Sequence, residues 1–150
     1  MTEHSETRIV PYTADLMYAV VADVERYPQF LPWVVALRVK SRTIEGGREI
    51  LLAEMAVGYR ALRERYTSRV VLDPARRTID VAAIDGPFHQ LENHWRFAPK
   101  AGGAEIDFAV KFQFSSRLLQ AAAGRAFEKV LFKMTDAFEA RAASLSQGSA

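Results

Sequence analysis

The sequence predicts an α+β fold in which a curved antiparallel sheet of about six to seven strands wraps around a long C-terminal helix. Apolar and polar residues mainly alternate from residue 35 to residue 114, which is the period of β-strands. Turn residues interrupt this region at intervals of about a dozen residues, as expected for antiparallel hairpins. After Ser115 the apolar spacing changes to the period of an α-helix.

The N-terminal region is expected to form a strand and then a helix. Thr7 to Tyr12 is the first predicted strand. Thr13 is a suitable N-cap, and Asp15 in the first turn interacts favourably with the positive end of the helix dipole. This helix has to end before Pro28 and Pro32, because two prolines so close together prevent a regular continuation.

Hairpin strands fill the middle of the chain, and one helix ends it. The predicted strands are Val35 to Thr43, Arg48 to Tyr59, Ala61 to Leu72, Arg77 to Ile84, Gln90 to Ala98 and Ala104 to Phe114. The turns between them contain Gly46-Gly47, Asp73-Pro74, Asp85-Gly86-Pro87 and Ala101-Gly102-Gly103. The final helix is predicted from Ser116 to Ser144, and both chain ends, including His4, are expected to be frayed.

Composition limits the classes of function. The chain of 150 residues has no cysteine, which excludes disulfides, thiolate metal sites and cysteine nucleophiles. Its formal net charge of +2 is too small to indicate nucleic-acid binding by itself, and no DNA partner is expected. His89 and His94 lack the third convergent ligand of a zinc site, so no metal is expected. No nucleophile elbow or Gly-rich phosphate loop is found, so no catalytic residue is assigned.

The pattern leaves open whether the interior of this fold is filled. The final helix places Ala122, Ala123, Ala126 and Ala137 among its larger residues. Small side chains opposite a strongly bent sheet would leave an apolar void, which stays dry until an apolar ligand enters. In the alternative interpretation, the alanines mark a close approach of helix and sheet within a tightly packed core.

A set of sequence blocks extends along nearly the whole chain. The most specific block is Tyr27-Pro28-Gln29-Phe30-Leu31-Pro32-Trp33. Later blocks are Met55 to Tyr59, Tyr66 to Val70, Asp85 to Phe88, Leu91 to Phe97, Phe112 to Leu118 and Ala137 to Ala142. Together they resemble the COQ10/RatA family of coenzyme Q-binding, START-like proteins in the polyketide cyclase superfamily. Val34 departs from the pattern, since many members have cysteine at this position.

This resemblance implies a single START-like domain over residues 1–150 with the helix-grip (START/Bet v 1-like) fold and a hydrophobic tunnel. It further implies binding of ubiquinone or a related isoprenoid lipid, as a carrier or chaperone that supports respiratory electron transport and quinone synthesis. Some bacterial relatives are instead RatA toxins that interfere with ribosomal subunit association. A third branch contains polyketide cyclases and dehydratases. The blocks alone do not separate these assignments.

Alternation along the strands and the apolar helix face give the candidate tunnel residues. They are Met55, Val57, Tyr59, Tyr66, Trp95, Phe97, Phe112, Phe127 and Met134. Glu64 shares the inward register and is a candidate polar anchor for a ligand head group. If the strand bulges, Glu64 would instead be exposed beside Arg63 or Arg65. In an enzyme, Glu64 or Asp80 could serve as an acid or base.

Two segments are candidates for contact with a membrane or another partner. Phe30, Leu31, Pro32 and Trp33 form either an exposed tunnel gate at a membrane interface or a buried plug. Arg60, Arg63, Arg65 and Arg69 are candidates for binding anionic lipid head groups or ribosomal RNA, or simply form a solvated sheet edge.

The sequence thus predicts a lipid-binding protein that is not an enzyme. Ubiquinone is expected as its bound ligand, without a further cofactor, and the ribosome is the alternative partner. No run of about 18 apolar residues is present, so any membrane contact is expected to be peripheral. The expected location is the cytoplasm, at the surface of the inner membrane.

Overall fold

The computed structural model describes residues 2–59 and 62–148, and its elements follow the predicted order. The strands are β1 (Thr2–Val10), β2 (Val34–Glu45), β3 (Arg48–Tyr59), β4 (Leu62–Asp73), β5 (Thr78–Ala83), β6 (Phe88–Lys100) and β7 (Gly103–Phe114). The helices are α1 (Ala14–Ala22), α2 (Tyr27–Phe30) and α3 (Arg117–Gly148), with a 3-10 turn at Val24–Arg26. Ala61, predicted to begin the fourth strand, lies outside the described residues.

The strands form one antiparallel sheet in the order β1-β7-β6-β5-β4-β3-β2. Consecutive strands from β2 to β7 pair as hairpins, whereas β1 pairs with β7 at the far end of the chain. Register shifts in β2 and near the start of β6 mark β-bulges, which increase the bend of a strand. The predicted α+β fold, with a curved antiparallel sheet around a C-terminal helix, is confirmed.

The first strand differs most from its prediction, because it spans Thr2–Val10 rather than Thr7 to Tyr12. Its inward positions are polar, so the apolar pattern that signals a strand is missing. His4 is not frayed: it pairs with Val110, and its ring centroid lies 4.5 Å from that of Phe132. An edge strand that faces a polar stretch of helix can carry such residues when they find partners.

The start of α1 is built as predicted. The Thr13 hydroxyl accepts a hydrogen bond from the Leu16 backbone N–H at 3.1 Å, and Asp15 lies in the first turn. Met17 and Val21 are buried against the core. The helix ends at Ala22, before the prolines.

The hairpin between β2 and β3 shows why glycine occupies the predicted turn. Gly46 and Gly47 have φ angles of 58° and 81°, a region that other residues rarely adopt. The turn is therefore confirmed.

The long helix α3 begins after Ser116, whose hydroxyl accepts from the Leu119 N–H at 3.2 Å. It continues to Gly148, past the predicted end at Ser144, so the tail predicted to fray from Ser144 is helical as far as Gly148. Residues 149 and 150 lie outside the described residues. Helical spacing places Phe127 and Phe138 in the core. In the described part of the chain, no helix combines the length and apolar character needed to cross a bilayer.

Candidate functional site

A small cavity lies between the concave face of the sheet and α3. Its volume is about 70 Å³. The sheet, α3 and the segment between α1 and β2 all contribute to its wall. Sites that enclose a drug-sized ligand typically span about 300–1,000 Å³. The cavity is therefore smaller than such a ligand needs.

The structure brings six of the predicted tunnel residues together at this cavity. They are Met55, Val57, Tyr66, Trp95, Phe127 and Met134. Strand alternation put the strand residues on the concave face, and helical spacing aimed Phe127 and Met134 at them. Both tryptophans of the chain, Trp33 and Trp95, contact the cavity.

Two predicted tunnel residues are buried elsewhere on the same face. Phe97 stacks on Trp95 at a centroid distance of 6.0 Å and does not line the cavity. Phe112 packs against Phe127, with ring centroids 4.9 Å apart. Alternation gives the face of the sheet but not the position along it, so it cannot distinguish lining residues from packing residues. The side chain of Tyr59 lies outside the described residues.

The two candidate acids do not line the cavity. Glu64 is opposite Val57 in the strand register and is half-buried on the inward face, but it lies outside the cavity wall. Asp80 is exposed on the outer face of the sheet, where its carboxylate lies 2.7 Å from His94 Nδ1. His94 thus points outward, as its position beside Trp95 predicts.

The segment from Phe30 to Trp33 forms part of the interior. Leu31 is 1% exposed and Trp33 is 7% exposed, and both contact the cavity. Phe30 is half-buried, with its ring 5.6 Å from that of Phe138, and Pro32 is exposed. In this conformation the segment closes the cavity as a plug rather than presenting Leu31 and Trp33 to a membrane. Its role as a moving gate stays a prediction.

Local contacts hold this plug in place. The buried Tyr27 hydroxyl donates a hydrogen bond to the Val21 carbonyl at the end of α1. The Tyr27 ring packs edge-on against Phe138 with centroids 5.3 Å apart. Burial raises the pKa of Tyr27 well above its ordinary value of 10.0. The hydroxyl therefore stays protonated, and this hydrogen bond persists at neutral pH.

Four hydrogen-bonding side chains interrupt the apolar wall: Tyr27, Tyr66, Ser68 and Asn93. The Tyr27 hydroxyl is already bonded to the Val21 carbonyl. Asn93 Oδ1 accepts a hydrogen bond from Trp95 Nε1 at 3.1 Å, which directs the amide NH₂ elsewhere as a donor. The Tyr66 hydroxyl donates to Met55 Sδ at 3.8 Å, a weak acceptor that a ligand oxygen can replace. The wall can therefore donate hydrogen bonds to an acceptor such as a carbonyl oxygen.

Sequence reasoning missed Asn93. The signal was present, because Asn93 lies between Leu91 and Trp95 at strand spacing and so shares their inward face. Gly86, predicted as a turn residue, packs closely against Tyr66 of the wall. A Cβ atom there would lie 2.5 Å from Tyr66 Cβ, and its φ of +91° also favours glycine.

The outer face of β2, β3 and β4 is basic. Arg38, Lys40 and Arg65 lie 3.4–3.8 Å from the single carboxylate of Glu54. Arg69 is exposed on the same face of β4. This face, defined by Arg38, Lys40, Arg65 and Arg69, is called the basic sheet face. Arg60, predicted to belong to it, lies outside the described residues.

Comparison with known protein families shows to which family the chain belongs. The family described as polyketide cyclase / dehydrase and lipid transport matches residues 10–139. The chain belongs to this family. Its description covers both enzymes and lipid carriers, so membership alone does not give the activity.

Two characterised relatives have different names. The chain is 37% identical over 145 residues to the ribosome association toxin RatA of Rickettsia prowazekii, covering 95% of this chain and 97% of the relative. It is 33% identical over 144 residues to the coenzyme Q-binding protein COQ10 homolog B of Xenopus laevis, covering 93% of this chain and 57% of that protein. The predicted resemblance to both groups is confirmed.

Solved structures agree with the fold. An 18 kDa protein from Caulobacter crescentus has a TM-score of 0.80 and 37% identity, covering 98% of this chain and 99% of the other. A START superfamily protein from Mycobacterium smegmatis has a TM-score of 0.69 at 20% identity, covering 95% and 98%. The second likeness shows the fold alone. The predicted helix-grip architecture is thereby confirmed.

Proposed function

We propose that this protein binds ubiquinone or a related isoprenoid lipid between its sheet and α3 and acts as a carrier for it. The observation that carries the proposal is the apolar cavity with a few hydrogen-bond donors in its wall. Lipid transport in the family description and coenzyme Q binding in the name of the Xenopus relative support the same ligand class. A quinone combines an apolar tail with carbonyl acceptors, and this wall suits both parts.

Binding requires the cavity to widen, because about 70 Å³ is too small for a quinone head group and a prenyl unit. The movable parts of the wall are the plug with Leu31 and Trp33, and the segment of α3 with Phe127 and Val130. Each buried CH₂ of the tail contributes about 0.8 kcal/mol, which can offset the opening of apolar contacts. The ligand would thus replace side-chain contacts rather than enter an open tunnel.

Asn93 is the residue we assign to the head group. Its amide oxygen is held by Trp95 Nε1, so its NH₂ can donate to a quinone carbonyl. Tyr66 and Ser68 are further donors in the same wall. This assignment replaces Glu64, whose carboxylate is outside the wall.

A pair of matched variants tests the proposal. Ala53 faces the cavity, whereas Ala56 in the same strand faces outward. Ala53→Leu should fill the cavity and Ala56→Leu should not, although both add the same atoms. The proteins are purified from the native host and extracted with organic solvent, and the lipids are identified by mass spectrometry.

We expect the wild type and Ala56→Leu to retain a prenylated quinone and Ala53→Leu to lose most of it. Equal lipid content in the two variants, or no isoprenoid lipid in the wild type, would refute the proposal. Thermal unfolding of both variants checks that Ala53→Leu still folds, since overpacking commonly costs about 1–3 kcal/mol.

A second candidate function is action on the ribosome through the basic sheet face. The specific observation is that Glu54 is the one carboxylate among Arg38, Lys40 and Arg65, so cations are in excess there. The name of the Rickettsia relative supports it. Contacts between cations and phosphates weaken steeply with salt.

Cosedimentation with ribosomal subunits tests this candidate. Arg65→Gln/Arg69→Gln should weaken a salt-sensitive association, whereas Lys129→Gln/Lys133→Gln, with the same loss of charge on α3, should leave it unchanged. Equal loss in both double variants would indicate unspecific attraction and remove the candidate. An enzymatic role gains no such support, because Glu64 and Asp80 both lie outside the cavity wall.

A further inference from the structure

The outward face of the first half of α3, residues 117–133, is largely exposed. Phe132 at its end also contacts β1, with its ring centroid 4.5 Å from that of His4. Leu118, Ala122, Arg125, Lys129 and Phe132 recur at intervals of three and four residues and so form one stripe. All five are exposed. We refer to these five residues as the α3 stripe.

Two large apolar side chains on the α3 stripe are exposed. Leu118 is 81% exposed and Phe132 is 41% exposed. A single exposed apolar residue needs no explanation, but two on one helical stripe, beside exposed alanines at positions 121 and 122, mark a candidate contact surface.

The same half of the helix is basic. Arg117, Arg125, Lys129 and Lys133 are exposed, and Glu128 is the one acidic residue between 117 and 133. In residues 2–59 and 62–148, no carboxylate lies within ion-pair distance of these four cations. The basic sheet face differs, since Glu54 partly neutralises it.

The inner face of this segment is the cavity wall. Phe127, Val130 and Leu131 contact the cavity from the side opposite the α3 stripe. A partner bound to the stripe would therefore be separated from the cavity by one helix. Any force that tilts or lifts this half of α3 would also open the cavity.

We infer that the α3 stripe docks on an anionic lipid surface and that this contact brings the cavity wall to the membrane. The inference rests on the proposed function, since it names where the carrier meets its lipid. Exposed leucine and phenylalanine suit the apolar layer beneath the head groups, and the flanking lysines and arginines suit the anionic head groups. RNA would use the cations but gains little from Leu118.

Sedimentation with vesicles tests the inference. Delipidated protein is mixed with vesicles of phosphatidylcholine alone or of equal parts phosphatidylcholine and phosphatidylglycerol. We expect binding to the anionic vesicles. Lys129→Gln/Lys133→Gln should lower the partition coefficient about 30-fold, because each basic residue near the surface contributes about a factor of five. Leu118→Ser/Phe132→Ser should also lower it.

Arg65→Gln/Arg69→Gln on the basic sheet face is the matched control, with the same loss of charge and an expected change below about threefold. An equal effect of the two charge variants, or equal binding to neutral and anionic vesicles, would overturn the inference. Loss of binding to ribosomal RNA with unchanged vesicle binding in Lys129→Gln/Lys133→Gln would overturn it too, and would assign the stripe to RNA. Circular dichroism checks that each variant is folded.

Ala53→Leu separates this inference from the proposed function. It blocks the cavity without touching the α3 stripe, so its vesicle binding should equal that of the wild type. Failure of quinone retention with intact vesicle binding would remove the proposed ligand and leave the docking surface. The reverse result would remove the docking surface only.

Discussion

The two halves of α3 share one helix and one buried face, yet the side chains on their outward faces differ. Residues 117–133 present cations and two exposed apolar side chains to solvent. Residues 134–148 are fixed to β1 and to the plug. The helix is thus attached firmly at one end and lightly at the other.

The attachment of the second half is polar as well as apolar. Arg8 on β1 lies 2.7 Å from Asp136 and 3.1 Å from Glu139. The buried Thr135 hydroxyl donates to Glu6 at 2.8 Å. The Arg141 guanidinium lies 5.2 Å from the Phe30 ring centroid, at the edge of the plug.

The first half makes a hydrogen bond to β7, from the Phe114 N–H to Gln120 Oε1 at 3.1 Å. It is otherwise attached mainly by aromatic packing of Phe127 against Phe88, Phe112 and Phe114. Such contacts are not directional and can be exchanged for contacts with an apolar ligand. Within the described residues, the ionic contacts of α3 lie in its second half, and the apolar contacts of its first half can be replaced by a ligand. We therefore expect the first half to move away from the sheet while the second half stays in place. The following predictions test this difference, from the largest effect to the smallest.

Truncation of an aromatic ring should affect the two halves very differently. Phe138→Ala removes a ring that contacts Tyr27, Phe30 and Trp95 and should lower the free energy of unfolding by about 3–5 kcal/mol. Phe132→Ala, on the α3 stripe, should lower it by about 1 kcal/mol or less, because this ring is 41% exposed and contacts His4 alone among the aromatic rings of the described residues. Denaturant unfolding measures both. Similar losses would mean that the halves are equally attached.

Tyr27, which packs against Phe138 beside the plug, should make the stability of the protein sensitive to alkaline pH. Because burial raises the pKa of folded Tyr27 above 10.0, its proton is held more tightly in the folded state. Stability is therefore retained below pH 10 and falls as the pH rises above it. Tyr27→Phe should cost about 1 kcal/mol at neutral pH and flatten this decline.

In Tyr27→Phe, the free energy of unfolding should still fall somewhat with rising pH, because two other tyrosines contribute. Burial raises the pKa of Tyr18 to about 12 and that of Tyr66 as well, so both still titrate at higher pH when folded than when unfolded. Urea denaturation between pH 8 and pH 11 measures the slopes. Identical slopes for the wild type and Tyr27→Phe would contradict the assignment.

Removal of a cationic side chain should also lower stability more at the second half of α3 than at the first. Arg8→Met leaves Asp136 and Glu139 without their shared partner and should lower the free energy of unfolding by about 1 kcal/mol at low salt, less at high salt. Arg125→Met, on the α3 stripe, should have almost no effect. If thermal unfolding shows no difference between the two, the polar anchor does not stabilise the second half.

The sheet was predictable because its signals are local. Gly46-Gly47 defines a turn, and Leu51 through Val57 alternate on a buried face. β1 was placed too late in the chain, because His4, Glu6 and Arg8 face a partner more than a hundred residues away. No local pattern identifies a polar strand whose partners lie on a distant helix.

The sequence predicts which residues face the interior, but not which of them line the cavity. Met55 and Trp95 line the cavity as the alternation indicated, and Asn93 could have been found by the same rule. Phe97 and Phe112 share that face but pack beyond the cavity. The size of the cavity depends on how closely α3 approaches the sheet, and side-chain periodicity contains no information on that distance.

Tryptophan fluorescence tests the central claim most directly, because both tryptophans of the chain, Trp33 and Trp95, contact the cavity. Titration of delipidated protein with a short-chain ubiquinone should quench most of the emission in a saturable manner. The quenching should be weakened in Ala53→Leu and unchanged in Ala56→Leu. Emission that stays constant, or quenching that is equal in the two variants, would contradict a quinone site between the sheet and α3.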